Sequence, residues 1–280
     1  MNKALKSLFP TGTVKFFKGT TLGAFLALQA VALVACSSAK ETPVYVEQTV
    51  EALYNSAVNA LEQEQYTIAT ERFDEVERQH PYSKWATKSQ IMSAYSLYMS
   101  NKYDEAILAL ERYIDLHPSS KDTPYAYYLK GLTYYEQISD VGRDQLMTER
   151  ASSSFAELIK RFPESEYTRD AKIKFELTND HMAGKEMDVG RYYLNRKMYT
   201  AAINRFQLVV DKFQTTTHVP EALHRMVESY LALGLVDEAR KAAAVLGHNY
   251  ASSPWYLDSY AILEDPSVRP VEGKSWYKLW

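Results

Sequence analysis

Residues 54–81, YNSAVNALEQEQYTIATERFDEVERQHP, decide the fold. The stretch reads as two amphipathic helices around a short polar turn. Ala57 is a small residue midway along the first helix, and Ala69 stands near the opening of the second. Phe73 follows four residues later, and Pro81 ends the helix because its ring and missing N–H cannot continue one. The same marks recur along the chain. The small residue of the first helix falls at Ala57, Ala94, Gly131, Gly190 and Val227, and the alanine of the second at Ala69, Ala106, Ala151, Ala202 and Ala239. Twelve residues separate the two positions in four of the five copies. The apolar residue after them is Phe73, Leu110, Phe155, Phe206 and Ala243, and the terminators are Pro81, Pro118, Pro163, Gln214 and Ala251. Neighbouring copies are offset by 37 residues in the first pair and again in the last.

This pattern resembles the tetratricopeptide repeat, in which small residues let two helices cross closely and aromatic rings fill the groove beside them. One hairpin cannot bury its own apolar face, so stacking creates the core. The fold class expected is all-α, a tetratricopeptide-repeat solenoid of about five helical hairpins over residues 49–254. Only 10 glycines and 10 prolines in 280 residues agree with a mostly helical chain. The 22 tyrosines are read largely as wedges within hairpins, with Tyr66, Tyr103 and Tyr199 placed just before the second helices. His80 and His117, beside two terminators, are read as helix-end residues favoured by the C-terminal dipole.

Two places break the period. Gly131 and Ala151 are 20 apart rather than 12, which puts an insertion, Ile138 to Glu149, at the tip of the third hairpin. Extra length between Pro163 and Gly190 reads as helix, either separate from the next repeat or continuous with it, and Gly184 leaves both open. Beyond Pro254 lies an aromatic tail, residues 255–280, with Trp255, Trp276 and Trp280. It suits a cap on the last hairpin or a docking strip for a partner.

The N-terminus has a different composition. Lys3, Lys6, Lys15 and Lys18 carry all the early charge, and residues 19–39, GTTLGAFLALQAVALVACSSA, carry none. That is the basic region and apolar core of a secretory signal, although the uncharged run approaches membrane-spanning length. Leu33-Val34-Ala35-Cys36 resembles the bacterial lipobox and decides for a lipoprotein leader. Residues 1–35 are then a signal peptide, Cys36 carries the lipid, and residues 36–48 form a lipidated tether. Two or more acyl chains, palmitate among them, exceed the threshold for stable attachment. By the same resemblance Ser37 permits sorting to the outer membrane, on its periplasmic face. Cys36 is the only cysteine, so no internal disulfide or thiolate metal site can form. Loss of four leader lysines leaves 28 basic against 35 acidic residues, a net charge of −7, which disfavours nucleic acid.

No dinucleotide, P-loop, zincin or nucleophile-elbow motif is present. Ser37 and Lys40 match a penicillin-interacting SxxK pattern, but within the tether. No catalytic residue, metal ligand or cofactor is expected, and the chain reads as a non-enzyme. Two clusters instead suit binding. Tyr82 and Trp85, with Tyr95 and Tyr98, could line an apolar groove for an extended peptide, although packing between repeats accounts for Tyr95 and Tyr98 equally well. Arg205, beside Asn204 and between the core positions Ala202 and Phe206, faces solvent by spacing and could anchor a carboxylate across an interface, with Tyr192 and Arg196 nearby.

The strings PYSKWATKSQ, GRDQ (Gly142–Gln145), FPESEYTRDAKIK and RYYLNRKMYTAAINRF together resemble the BamD family, lipoproteins of the outer-membrane β-barrel assembly complex. The resemblance implies a scaffold binding the periplasmic domains of BamA through its C-terminal repeats, alongside other Bam lipoproteins. It implies unfolded outer-membrane barrel precursors as ligands of the N-terminal repeats. Family likeness puts a BamA-contacting arginine in the Asn204-Arg205 dipeptide, with Arg196 and Tyr192 as its neighbours. Another tetratricopeptide-repeat lipoprotein, such as a secretin pilotin or a peptidoglycan-synthesis regulator, would share leader and repeats but lack these strings.

Overall fold

The computed structural model describes residues 47–264. The signal peptide, Cys36, nearly all of the tether and the tail from 265 onward, including Trp276 and Trp280, lie outside the described residues. Within them the chain forms eleven helices and no strand: α1 (Val50–Glu62), α2 (Tyr66–Gln79), α3 (Lys84–Met99), α4 (Tyr103–Leu116), α5 (Thr123–Tyr135), α6 (Leu146–Arg161), α7 (Thr168–Asn195), α8 (Tyr199–Lys212), α9 (Val219–Ala232), α10 (Val236–Asn249) and α11 (Pro254–Glu264). They make five hairpins, α1–α2 through α9–α10, followed by α11. Every substantial helix–helix contact joins elements one or two apart along the chain. That nearest-neighbour architecture is the tetratricopeptide solenoid.

The repeat marks are the core. Ala57, Ala94 and Val227, all five second-helix alanines, and Phe73, Leu110, Phe155 and Phe206 have no solvent exposure. A Cβ added to Gly131 would lie 2.5 Å from the Phe155 ring, so the helices cross too closely there for any side chain. Four hairpins turn through a left-handed residue, Glu64, Asn101, Lys197 or Gly234. The next N–H closes back on the sixth-last carbonyl, as in Gln65 to Ala60 and Lys102 to Leu97. Tyr66, Tyr103 and Tyr199 are the first residues of their helices rather than the residues before them.

Between hairpins one turn is used five times. His80, His117, Phe162, Phe213 and Tyr250 end the second helices, and each carbonyl accepts from the N–H three residues on, at Ser83, Ser120, Ser165, Thr216 and Ser253. The turn persists where Gln214 and Ala251 replace proline, so the ring-bearing cap and the Ser/Thr form it rather than proline. His80 and His117 each also place Nε2 on an oxygen, of Gln48 at 2.7 Å and of Gln90 at 2.8 Å.

Helix α7 is continuous for 28 residues through Gly184. The third-hairpin insertion packs over this part of the helix. Lys185 Nζ donates to the Gly142 carbonyl at 2.7 Å, and the His181 ring meets Gln145 Oε1 at 2.9 Å. A Cβ at Gly184 would stand 3.3 Å from His218 and 3.6 Å from Val141. Glycine there admits neighbours against the helix and does not break it. The first part of the C-terminal tail is helical too. Trp255 packs on the α9–α10 core, and the buried Ser259 hydroxyl hydrogen-bonds His224 Nδ1 at 2.8 Å.

Candidate partner-binding surfaces

The four residues expected to line one N-terminal groove do not come together. Trp85 opens α3 and leans on the first hairpin, its ring 4.5 Å from that of Tyr54. Tyr95 and Tyr98 lie ten or more residues further along α3, roughly 15 Å at the helical rise. They pack on the cluster that α3 shares with α4 and α5, Tyr98 lying 6.5 Å from Tyr95 and 6.1 Å from Tyr103 of the same hairpin. The physical reason is axial distance together with helical phase: ten residues put Tyr95 about 15 Å along and about 80° around the helix from Trp85, so the two meet different neighbours. Tyr82 is separate again, standing in the first inter-hairpin turn with its side chain wholly in solvent.

A longer aromatic strip takes the place of the groove. Tyr95, Tyr98 and Tyr125 pack partly buried on one cluster, and Tyr125 and Tyr128 lie 5.2 and 5.4 Å from Tyr167. Tyr128 donates to Asp170 Oδ2 at 2.6 Å. Burial, then Asp170, pushes the Tyr128 phenol well above its ordinary range, and burial with the neighbouring tyrosines does the same for Tyr125. These hydroxyls therefore stay protonated and present a neutral, half-apolar surface. Most of the described tyrosines do pack against the core clusters, the majority of them only partly buried. Among the described residues only Tyr54, Tyr113, Tyr127 and Tyr134 belong to the buried core. Tyr125, Tyr128 and Tyr167 escape a reading by motif, although Tyr98 and Tyr135 share one repeat position, 37 apart.

In the fourth hairpin Arg205 is half exposed and already paired, its Nη1 2.9 Å from Glu186 Oε2 on α7. Asn204 beside it is exposed. Arg196 caps α7 with its guanidinium 4.5 Å over the ring of the exposed Tyr192. Exposed apolar residues continue at the tips of the last two hairpins, at Met198, Leu233, Leu235 and Val236. Met198 and Leu235 occupy one repeat position, a signal the spacing contained.

Behind this surface lies a charge network that the sequence does not announce. Arg191 donates from Nε and Nη2 to both Glu221 oxygens at 3.0 and 3.1 Å, and from Nη1 to Asp188 at 2.7 Å. Arg225 donates to Glu228 at 2.8 Å while its guanidinium lies 5.3 Å over the Trp255 ring. Burial alone would raise the Glu221 carboxyl, but the hydrogen bonds of Arg191 and the charges of Arg191 and Arg225 hold it below its ordinary value. The pairs join α7 to α9 and α9 to α11. Among the described residues no group of three acidic, His or Cys side chains is placed to hold a metal ion. No described helix is long and apolar enough to cross a membrane.

Comparison with known proteins agrees with this architecture. The profile of the YfiO family, described as an outer membrane lipoprotein, matches residues 46–246. The outer membrane protein assembly factor BamD of Caulobacter vibrioides is 44% identical over 261 residues, spanning 92% of this chain and 86% of its own. Its counterpart in Rickettsia prowazekii is 44% identical over 248 residues, covering 89% and 98%. That of Neisseria meningitidis serogroup A is 32% identical over 264 residues, covering 89% and 96%. With five stacked hairpins and relatives matched along nearly their whole length, the chain belongs to the YfiO family of outer membrane lipoproteins, the family of the outer membrane protein assembly factor BamD.

Proposed function

We propose that the chain is a non-enzymatic scaffold of the outer-membrane β-barrel assembly complex, tethered on the periplasmic face by lipid on Cys36. Its last two hairpins bind the periplasmic domains of BamA, and its first three receive unfolded barrel precursors. Other Bam lipoproteins share the assembly. The observation that carries this reading is Arg205, half exposed and aimed by Glu186 at 2.9 Å, beside the Tyr192–Arg196 pair and the apolar hairpin tips. Pre-positioned arginine, exposed aromatic and apolar rim match the composition of interface hot spots. A precursor strand suits the tyrosine strip, whose rings accept apolar side chains while their hydroxyls meet backbone.

The Glu186 pair shapes the test. Replacing Arg205 by Glu would set two carboxylates together within the hairpin and confound folding with binding, so Arg205→Ala is the cleaner change. It is expected to cut recovery of BamA in mild-detergent purification at least about tenfold, the loss of one charged hydrogen bond. Glu186→Gln should leave recovery intact. Unchanged recovery with Arg205→Ala refutes the anchor. Photo-crosslinkers at Tyr82 and Tyr98 should capture a barrel precursor while one at the exposed Lys241 does not, and equal capture at all three refutes the precursor site. Labelled palmitate should be incorporated by the chain and not by its Cys36→Ala variant.

A further inference from the structure

The turn shared by the five junctions fixes the register of α11. Ser253 precedes α11 as Thr216 precedes α9, 37 residues earlier, and Ser259 is buried as its counterpart Ala222 is. In that register α11 is the first helix of a sixth hairpin, and the place of the small residue, Val227 in α9, falls on Glu264. Counted back from that place, Leu257 corresponds to Val50, Thr87, Pro124, Ala183 and Pro220. Tyr260 corresponds to Leu53, Gln90, Tyr127, Glu186 and Leu223. All ten of these counterparts are buried or partly buried. Leu257 and Tyr260 are not, at 63% and 54% exposure.

In the earlier hairpins the second helix supplies the cover. Tyr127 lies 5.8 Å from the ring of Phe162, which ends α6, and Gln90 meets the ring of His117, which ends α4, at 2.8 Å. Among the described residues no second helix follows α11. Leu257 and Tyr260 stand three residues apart and so share one helix face. They leave an apolar stripe on the last helix of a solenoid, where a terminal repeat ordinarily turns a polar face outward. The helix itself carries two acidic residues, Asp258 and Glu264, and no basic one.

We infer that residues 265–280 of this same chain cover the stripe, with the rings of the Trp276–Trp280 segment on Leu257 and Tyr260. The segment begins where α11 stops. Its 16 residues can reach about 50 Å when extended, against a length of about 16 Å for α11, so it can turn and run back along the whole helix. Four of its last five residues, Trp276, Tyr277, Leu279 and Trp280, are large and apolar. Between 266 and 280 the basic residues are Arg269, Lys274 and Lys278 and the acidic one is Glu272, a balance that complements the acidic helix. Attachment favours this occupant over a free polypeptide, since a short linker presents the segment at an effective concentration on the order of millimolar. A charged Glu264 where a close crossing needs a small residue, followed by Pro266 and Pro270, sets this cover apart from an ordinary second helix of the repeat. The covered stripe is separate from the two partner surfaces above and depends on neither.

Photo-crosslinking from p-benzoylphenylalanine in place of Tyr260 tests this in the full chain, first in cells and then with purified light and heavy isotope-labelled copies mixed before irradiation. Mass spectrometry should find the main adduct on residues 275–280 of the same copy. The same crosslinker in place of Leu108, which is 68% exposed on α4, should not capture that segment. The double variant Trp276→Ala, Trp280→Ala should lower the adduct yield at least about tenfold, since losing the burial of one large side chain suffices for that. It should also speed hydrogen exchange of the α11 amides and leave those of α1–α5 unchanged. A main adduct on another protein, an adduct joining light to heavy copies, equal capture from Leu108, or α11 exchange unmoved by the double variant would each overturn the proposal.

Discussion

Replacing Arg191 by Met removes the guanidinium that holds Glu221 and keeps an unbranched apolar stem in its place. Glu221 is 6% exposed and receives two hydrogen bonds from Arg191. Once they are gone, its remaining cation is Arg225, whose Nε stands 3.5 Å away, beyond good hydrogen-bond geometry. Breaking a buried pair from one side costs about 3–5 kcal/mol. Arg225 retains part of that attraction, so the loss should fall near the lower end. With a urea slope of about 3 kcal/mol per molar for a chain of this size, the midpoint should drop by about 1 M. Stacked repeats need not unfold as one unit, so hydrogen exchange of α9 amides should accompany the urea curve and show the loss localised there. The double variant Arg191→Met, Glu221→Gln has no stranded charge and should recover most of the loss. Acid gives the second signature. In the wild type the Glu221 carboxyl is held low, so its contribution is present above the unfolded-state value and disappears as pH falls through the lower folded value. In Arg191→Met burial dominates and raises the same carboxyl, so protonation relieves it and the deficit should shrink between pH 7 and about 4. Additive single losses, or a deficit that does not change with pH, would refute the reasoning.

Three further outcomes follow from the packing. Gly131→Ala should lower the melting temperature despite a helix-propensity gain of about 1 kcal/mol, because overpacking against the fully buried Phe155 costs about 1–3 kcal/mol. Phe155→Leu in the same chain should restore part of it, and an unchanged melt for Gly131→Ala alone would show that the ring yields. Tyr82→Ser should leave stability within about 0.5 kcal/mol in a denaturant melt, since the residue is fully exposed and serine stands at two equivalent turns. Ser259→Ala orphans the buried His224 Nδ1 and should cost about 1–3 kcal/mol, read as faster amide exchange in α9 and α11 with the first three hairpins unchanged.

Positions forced by close packing are legible in the sequence. Ala57, Ala69, Phe73 and their equivalents are conspicuous because only a close helix crossing demands a small residue twelve before another, with a large ring four beyond. Features that depend on who stands opposite are hidden. Gly184 carries the same letter whether it breaks a helix or lets Val141 and His218 approach one, and only the insertion packed over it distinguishes these. Arg205–Glu186 and Arg191–Glu221 span 19 and 30 residues, so neither shows as a local charge pattern. The expected Tyr82–Trp85–Tyr95–Tyr98 groove fails for a related reason. Neighbours in sequence are not neighbours in space here, because the length of α3 sets Trp85 against Tyr54 at one end and Tyr95 and Tyr98 on the cluster shared with α4 and α5 at the other. The period carries the correction. Residues 37 apart share an environment, so Tyr98 groups with Tyr135, Met198 with Leu235, and Ser93 with Lys130. In a repeat protein each copy states what packing demands of a position. A copy that departs from its neighbour, as Ser93 does where the next copy has Lys130, trades an ion pair for a hydroxyl bond to a carboxylate across the same helix junction.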